Sequence, residues 1–164
     1  MTIGSGQFRD ALRLFPAGVT VVTILSGGRT HGLTVAAFAS ISPSPPLVGV
    51  FIDHQHGAHA MLQAPGASFA VNVLAEDQRA LAERFAWAPD GERFAAGGWR
   101  TAVTGAPVLA DALAWLDCTI DSRHAAGDHS LYVGLVVASA TPRSELRPLV
   151  YWNRDYRRLA DDEG

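Results

Sequence analysis

The sequence contains no lysine, because all 13 of its basic residues are arginine. A Schiff-base lysine, a phosphate-binding lysine of the Walker type and a lysine general base are therefore excluded from any mechanism. Cysteine is almost absent as well, since Cys118 is the only one. A single cysteine excludes an intramolecular disulfide and any CxxC redox or zinc pair.

Long apolar runs and an excess of positive charge are also missing. The longest apolar runs, such as residues 131–138, fall far short of the roughly 20 residues that a membrane helix needs. The formal net charge of −3 gives no signature of binding to polyanions. The first residues lack the basic start and apolar stretch of a signal peptide. We therefore expect a soluble, cytoplasmic protein with neither a nucleic acid nor a membrane as its partner.

What the chain does have is enough apolar residues, 48% of 164, to bury one sizeable core. We expect a single domain over residues 1–164. Hydrophobic patterns and turn signals predict about eight strands and two or three helices, in the order helix, hairpins, helix, hairpins. This order lacks the strict alternation of a doubly wound sheet, and no GxGxxG follows a strand. The prediction is a mainly β fold, an antiparallel barrel with peripheral helices.

The predicted elements can be placed along the chain from periodicity and from the Gly, Pro and Asn positions. Strands are predicted at 19–25, 29–35, 47–52, 68–74, 112–122, 129–141, 149–152 and 156–159. Helices are predicted near 8–15, 58–63 and 76–86. Residues 41–46, which hold three prolines, and residues 88–98 are predicted to lack regular structure.

The segment Gly32–Ser42 carries small side chains around one large residue, Phe38. Small side chains allow a flat ligand to approach the backbone, so that N–H groups can reach its carbonyl and ring-nitrogen acceptors. Hydroxyls add further donors, and Pro45 and Pro46 restrict the backbone where the segment ends. The hydroxyls are those of Thr34, Ser40 and Ser42.

Five blocks, in order along the chain, resemble the short-chain flavin reductase family. These blocks are Phe15–Thr23, Gly32–Leu47, Phe69–Ala86, Gly127–His129 and Pro148–Tyr156. The resemblance implies an antiparallel Greek-key split β-barrel that forms a homodimer, with FMN or FAD near the subunit interface. It also implies hydride transfer from NADH or NADPH to the flavin. Such reductases supply diffusible reduced flavin to a partner monooxygenase.

The same resemblance assigns the site. It implies that His129 is the catalytic residue on the nicotinamide side of the flavin, oriented by Asp128. It implies that Arg84 clamps the flavin phosphate through its guanidinium and that Tyr151 and Arg154 face the dinucleotide. No metal site is expected. The full set of expected cofactor-binding residues is Thr34, Val35, Ala36, Ala37, Ser40, Ile41, Ser42, His56, Arg84, Phe85, Asp128, Tyr151 and Arg154.

One stretch departs from the family pattern and supports an alternative. The family usually places Ser, Thr or Lys residues for the flavin phosphate where this chain has Asp53–His59, which leaves His56 as a candidate donor. His54, His56 and His59 also have the spacing of the first zinc ligands in metallo-β-lactamase-type hydrolases. A zinc hydrolase therefore stays open at this point, as does a flavin-binding split-barrel protein without turnover.

Overall fold

The computed structural model of the protein describes residues 2–160. The helices in this range are Ser5–Leu12 (α1), Gly57–Gln63 (α2), Arg79–Trp87 (α3) and Asp90–Arg93 (α4). The strands are Ala17–Gly18 (β1), Thr20–Ser26 (β2), Arg29–Val35 (β3), Phe38–Pro43 (β4), Pro46–Asp53 (β5), Ser68–Val73 (β6), Trp99–Thr101 (β7), Pro107–Leu109 (β8), Ala114–Ala126 (β9), His129–Ala140 (β10), Val150–Trp152 (β11) and Asp155–Arg157 (β12). No helix in the described range is long and apolar enough to cross a membrane.

Seven strands form one antiparallel sheet in the order β3-β2-β6-β9-β10-β5-β4. Its two edge strands, β3 and β4, are neighbours in the sequence and are joined only by Ala36 and Ala37. A connection of two residues keeps the end of β3 and the start of β4 within about 11 Å. The sheet must therefore curve until its two edges meet at this corner. The predicted mainly β, antiparallel class is confirmed.

Strand β2 shows why the sheet is buried on both faces. Its side chains alternate, so Val22 and Ile24 join a core cluster with α2, whereas Val21 joins a second cluster with α3. Alternation between two apolar environments explains the nearly continuous apolar run of this strand. The sheet is consequently covered by α2 on one side and by α3 on the other.

Helix α1 has no buried residue. The apolar spacing that predicts this helix does produce one, but its apolar side chains, and those just after it, are exposed. These are Phe8, Leu12, Leu14 and Phe15. The hairpin β11–β12 holds the end of this segment, because Trp152 Nε1 donates to Leu14 O at 3.0 Å and Asn153 N donates to Arg13 O at 2.8 Å.

Three regions differ from the sequence prediction. Strand β4 runs to Pro43, into the proline-rich stretch predicted as a loop. An edge strand tolerates proline because its outer side has no partner that needs an N–H donor. The region predicted as irregular contains the single-turn helix α4, and β7 pairs with β8 beyond it. These elements are too short for a periodic pattern to reveal them.

Candidate functional site

The corner formed by Ala36 and Ala37 is an open stretch of backbone directly after β3. Both residues are exposed, and their methyl groups leave the backbone accessible. Their carbonyls are used, because Ala36 O accepts from Phe38 N at 3.0 Å and Ala37 O accepts from Phe51 N at 3.1 Å. Their N–H groups donate to no other group within residues 2–160. Two adjacent amide donors are therefore available to a ligand.

Strand β3, which leads into the corner, is held by helix α3 and by the core. Thr34 Oγ1 donates to Ala82 O of α3 at 2.6 Å, which ties β3 to that helix. Val35 is buried in the core, so it can offer a ligand only its backbone. Phe85 is 1% exposed and lies beneath Gly32, where an added Cβ would overlap its Cε1 atom. The structure thus places Phe85 as a support of β3 inside the core.

A cleft of about 440 Å³ extends from the corner between α3 and the hairpin β11–β12. We call its two sides the β3–α3 wall and the hairpin wall. Three aromatic rings and two guanidinium groups face it, a combination suited to a ligand with planar rings and phosphate groups. Its lining residues are Val19, Thr34, Ala36, Arg79, Glu83, Ala86, Trp87, Tyr151, Arg154, Asp155 and Tyr156.

The two arginines of the cleft differ in how they are paired. Arg79 Nε lies 2.8 Å from Glu83 Oε1, and Arg79 Nη2 lies 3.4 Å from Asp155 Oδ1. The hydrogen bond to Glu83 raises the pKa of Arg79 above its ordinary value. Within residues 2–160, Arg154 has only Asp10 as an ion-pair partner, at 3.5 Å with both side chains 60% exposed. Arg154 is therefore the more available of the two for an incoming anion.

The hairpin wall owes its shape to an unusual turn. Asn153 and Arg154 both have positive φ angles, 51° and 63°, as a two-residue type I′ turn requires. This turn brings Tyr151 and Tyr156 together, with ring centroids 5.4 Å apart. The sequence prediction of Tyr151 and Arg154 as site residues therefore coincides with their position in the cleft.

Beyond the corner, the predicted residues of β4 follow the sheet edge away from the cleft. Ser40 pairs with Val48 of β5, and Ile41 forms a bulge before Ser42. Ser42 Oγ accepts from Ser44 N at 3.2 Å. Ser40 and Ile41 are exposed, so this edge can be reached from solvent, although it does not line the cleft.

His129 and Asp128 lie at the tip of the hairpin β9–β10. His129 Nδ1 is 2.7 Å from Asp128 Oδ1, and this hydrogen bond lowers the pKa of the Asp128 carboxyl. His129 pairs in register with Asp53 of β5, while Phe51 of the same strand donates to the corner at Ala37. Two residues along a strand span about 7 Å, so His129 and the corner adjoin the same end of β5.

The two residues predicted to bind the flavin phosphate, His56 and Arg84, do not line the cleft. His56 caps α2, where its Nδ1 accepts from Ala58 N at 3.2 Å, and its ring lies 5.3 Å from that of His31. Burial lowers the pKa of His56, and the nearby Arg93 lowers it further, so its neutral form is favoured. Arg84 occupies a different face of α3 from Arg79 and lines other surface depressions instead of the cleft.

The three histidines of the zinc alternative do not converge. The ring of His54 lies 4.6 Å from that of His59, whereas the ring of His56 packs against His31. Among residues 2–160, no group of three or more His, Cys, Asp or Glu side chains could hold a metal ion. The geometry therefore gives the zinc hydrolase no support.

The cleft contains residues that the sequence prediction missed. Arg79, Glu83 and Trp87 recur every fourth residue on α3 and so share one face of the helix. Trp87 is 84% exposed, which is rare for so large a ring. The spacing was visible in the sequence, but only the fold shows that this face meets the hairpin β11–β12.

Comparisons with known proteins identify the family to which this chain is similar. The model of the flavin reductase like domain matches residues 12–160. The chain is 40% identical over 158 residues to an NADH:riboflavin 5′-phosphate oxidoreductase of Streptomyces pristinaespiralis, covering 94% of this chain and 88% of that protein. It is 34% identical to HsaB of Rhodococcus jostii (strain RHA1), the reductase subunit of a flavin-dependent monooxygenase, covering 96% and 79%.

A solved structure matches over nearly the whole fold. The NADH:FAD oxidoreductase SgcE6 of Streptomyces globisporus C-1027, in complex with NAD and FAD fragments, superposes with a TM-score of 0.88 at 34% identity. The match covers 97% of this chain and 94% of that one.

Proposed function

The chain belongs to the flavin reductase-like family, and we propose that it is an NAD(P)H-dependent flavin reductase whose flavin lies against the Ala36–Ala37 corner. The observation that carries the placement is the pair of exposed, unpartnered N–H groups at this corner. FMN and FAD present carbonyl oxygens and ring nitrogens along one edge of the isoalloxazine, which need such donors. The adjoining cleft, with its aromatic rings and arginines, continues the site.

The chemistry is supplied by the bound flavin, whose N5 accepts the hydride from the nicotinamide of NADH or NADPH. The residues of this chain hold the reacting partners in place. The corner amides orient the isoalloxazine edge, and the Thr34–Ala82 hydrogen bond keeps the strand before them fixed. Such positioning brings the reacting atoms to about 3–3.5 Å, where most of the rate gain arises.

For the phosphate end of the flavin, we favour Arg154 over the Arg84 of the sequence prediction. Arg154 lines the cleft, whereas Arg84 does not. Arg79 is already held by two carboxylates, so a phosphate would have to displace them. A guanidinium with one long, exposed ion pair gives up little on binding a phosphate.

For the nicotinamide side, we retain His129. A hydrogen bond from Nδ1–H to Asp128 leaves Nε2 free to face a ligand. The hairpin tip adjoins the end of β5 that also contacts the corner. His129 would then orient the nicotinamide, and no proton transfer by its side chain is needed for the hydride step.

We also propose a cytoplasmic homodimer of single-domain protomers that supplies reduced flavin to a monooxygenase. The support for the dimer is the exposed apolar surface around α1, since such surface usually marks an interface. The similarity to HsaB supports the monooxygenase partner. Light scattering of the purified protein measures the mass in solution, and a monomer would contradict the dimer.

The test of the proposed function is NAD(P)H oxidation with FMN or FAD, measured in the wild-type protein and in Ala36→Val. The valine side chain fills the corner, so we expect the flavin KM to rise about tenfold or more. Ala60→Val, a matched change on an exposed position of α2, is the control and keeps the wild-type KM. Tight flavin retention without turnover would favour the non-enzymatic flavin-binding protein. An unchanged KM in Ala36→Val would remove the corner from the site.

A further inference from the structure

Strand β3 is an edge strand, so its outer side has no neighbouring strand to hold it. The proposed flavin corner follows β3 directly, and Thr34 lies within β3. Any displacement of β3 would therefore move both the Thr34 hydroxyl and the corner amides. The sheet holds β3 only on its inner side, through β2, so contacts from outside the sheet can fix its outer side.

The side chain of Arg93, on α4, makes the required connection. Its Nη1 donates to Gly32 O on β3 at 2.7 Å, and its Nε donates to Ala88 O at the end of α3 at 3.0 Å. Nη1 also lies 2.9 Å from Asp90 Oδ1 and 3.4 Å from His31 Nε2. The Arg93 side chain is only 11% exposed. One rigid fork of donors thus joins β3, α3 and α4.

The packing beneath this bond leaves β3 a single close-fitting position. The rings of Phe85, Phe94 and Trp99 form a cluster in which every pair of centroids is 5.2 Å apart. Gly32 lies directly on it, so close that an added Cβ would overlap Phe85. Arg93 immediately precedes Phe94 in the chain, and its hydrogen bond to Gly32 holds the strand against these rings. The packing fixes the distance between β3 and the aromatic rings, and the hydrogen bond of Arg93 keeps the strand from moving away from them.

We propose that Arg93 is a positioning residue for flavin binding, which holds β3 against α3 and α4 so that Thr34 and the corner amides meet the flavin. This inference rests on the proposed flavin site. Arg93 itself touches no ligand, because it lies outside the cleft. Its contribution reaches the flavin through two residues of strand, from Gly32 to Thr34.

The test compares Arg93→Gln, Arg93→Lys and Asp90→Asn in flavin titrations with FMN and FAD and in NADH oxidation. We expect Arg93→Gln to raise the flavin Kd about tenfold, while kcat at saturating flavin stays within about twofold of wild type. Lysine can reach Gly32 O but cannot donate to Ala88 O at the same time, so its effect should be smaller. Arg93→Lys keeps the test decisive if Arg93→Gln does not fold, and Asp90→Asn, at a 70% exposed side chain, should give the smallest shift.

Two controls separate positioning from a general loss of stability. Arg29→Gln makes the same change at an exposed residue of the same strand and should leave Kd unchanged. Val108→Ala removes a buried methyl pair far along the chain and should lower Tm without raising Kd. Hydrogen exchange provides a direct readout, since the amides of residues 33–37 should exchange faster in Arg93→Gln than in either control.

A folded Arg93→Gln with wild-type Kd would overturn the proposal. The proposal would also be overturned if the flavin Kd rose in proportion to the loss of Tm, and by the same proportion, in Arg93→Gln and Val108→Ala. The proposed function fails separately: if Ala36→Val leaves the flavin KM unchanged, the flavin site itself is elsewhere. If Ala36→Val weakens binding and Arg93→Gln does not, only the positioning role of Arg93 is lost.

Discussion

The two walls of the cleft are built in different ways. The β3–α3 wall rests on buried rings, and its strand is tied to the helix by Thr34 and Arg93. The hairpin wall consists of two three-residue strands whose side chains are exposed or half-buried, held by pairing with β1, by ion pairs and by two bonds to the end of the α1 segment. This difference suggests that the two walls have different roles in the proposed flavin site. In the proposed site, the packed wall would fix where the flavin ring lies, and the hairpin wall would adjust to the charged end of the flavin.

The largest expected effect comes from removing the main support of the packed wall. Phe85→Ala leaves a cavity beneath Gly32 and should cost about 3–5 kcal/mol of unfolding free energy. Tyr151→Ala, at an exposed ring of the hairpin wall, should cost about 0.5 kcal/mol or less. Chemical denaturation measures both. Similar losses for the two variants would contradict the difference between the walls.

A smaller effect, on binding alone, is expected at the turn of the hairpin wall. Arg154→Gly removes the guanidinium but suits the positive φ of 63°, so stability should stay equal or rise by about 0.5 kcal/mol. The flavin KM should rise about tenfold, and less so at high salt, because a charge-assisted bond to phosphate is lost. Arg84→Gly serves as the comparison, since Arg84 faces away from the cleft. A larger KM change in Arg84→Gly would restore the original phosphate assignment.

The smallest expected effect is a pH dependence of stability that arises in part from His31 on β3 and from His56, whose ring contacts it. Burial, the largest cause, lowers the pKa of His31 and of His56 below 6.5. The unfolded chain then binds protons more readily, so stability is complete above pH 6.5 and falls as the pH drops below it. Urea unfolding at several pH values measures this. His56→Asn keeps a helix-capping side chain and should reduce the slope. An unchanged slope would exclude His56 as a source.

The sequence predicts the sheet well and the cleft in part. Alternating apolar patterns reveal strands such as β2 and β10, and the small residues before Ser42 indicate an accessible backbone. The position of Arg84 outside the cleft could not be predicted, because the orientation of its helix depends on packing. The partners of His56 were equally hidden, since His31 and Arg93 are distant in sequence. The hydrophobic pattern of the sequence does not reveal which distant segments come into contact.

The two-residue corner between the sheet edges has a consequence for how the protein folds. Hairpins β2–β3 and β4–β5 each form from neighbouring residues, but β5 must pair with β10 and β6 with β9, across long stretches of chain. The end of β3 and the start of β4 are close in any case, but only these distant pairings make β3 and β4 the two edges of one sheet. The corner is thus a product of the completed topology. Flavin bound at this proposed site would favour the whole native state over the unfolded chain, so the melting temperature of the entire fold should rise with flavin concentration.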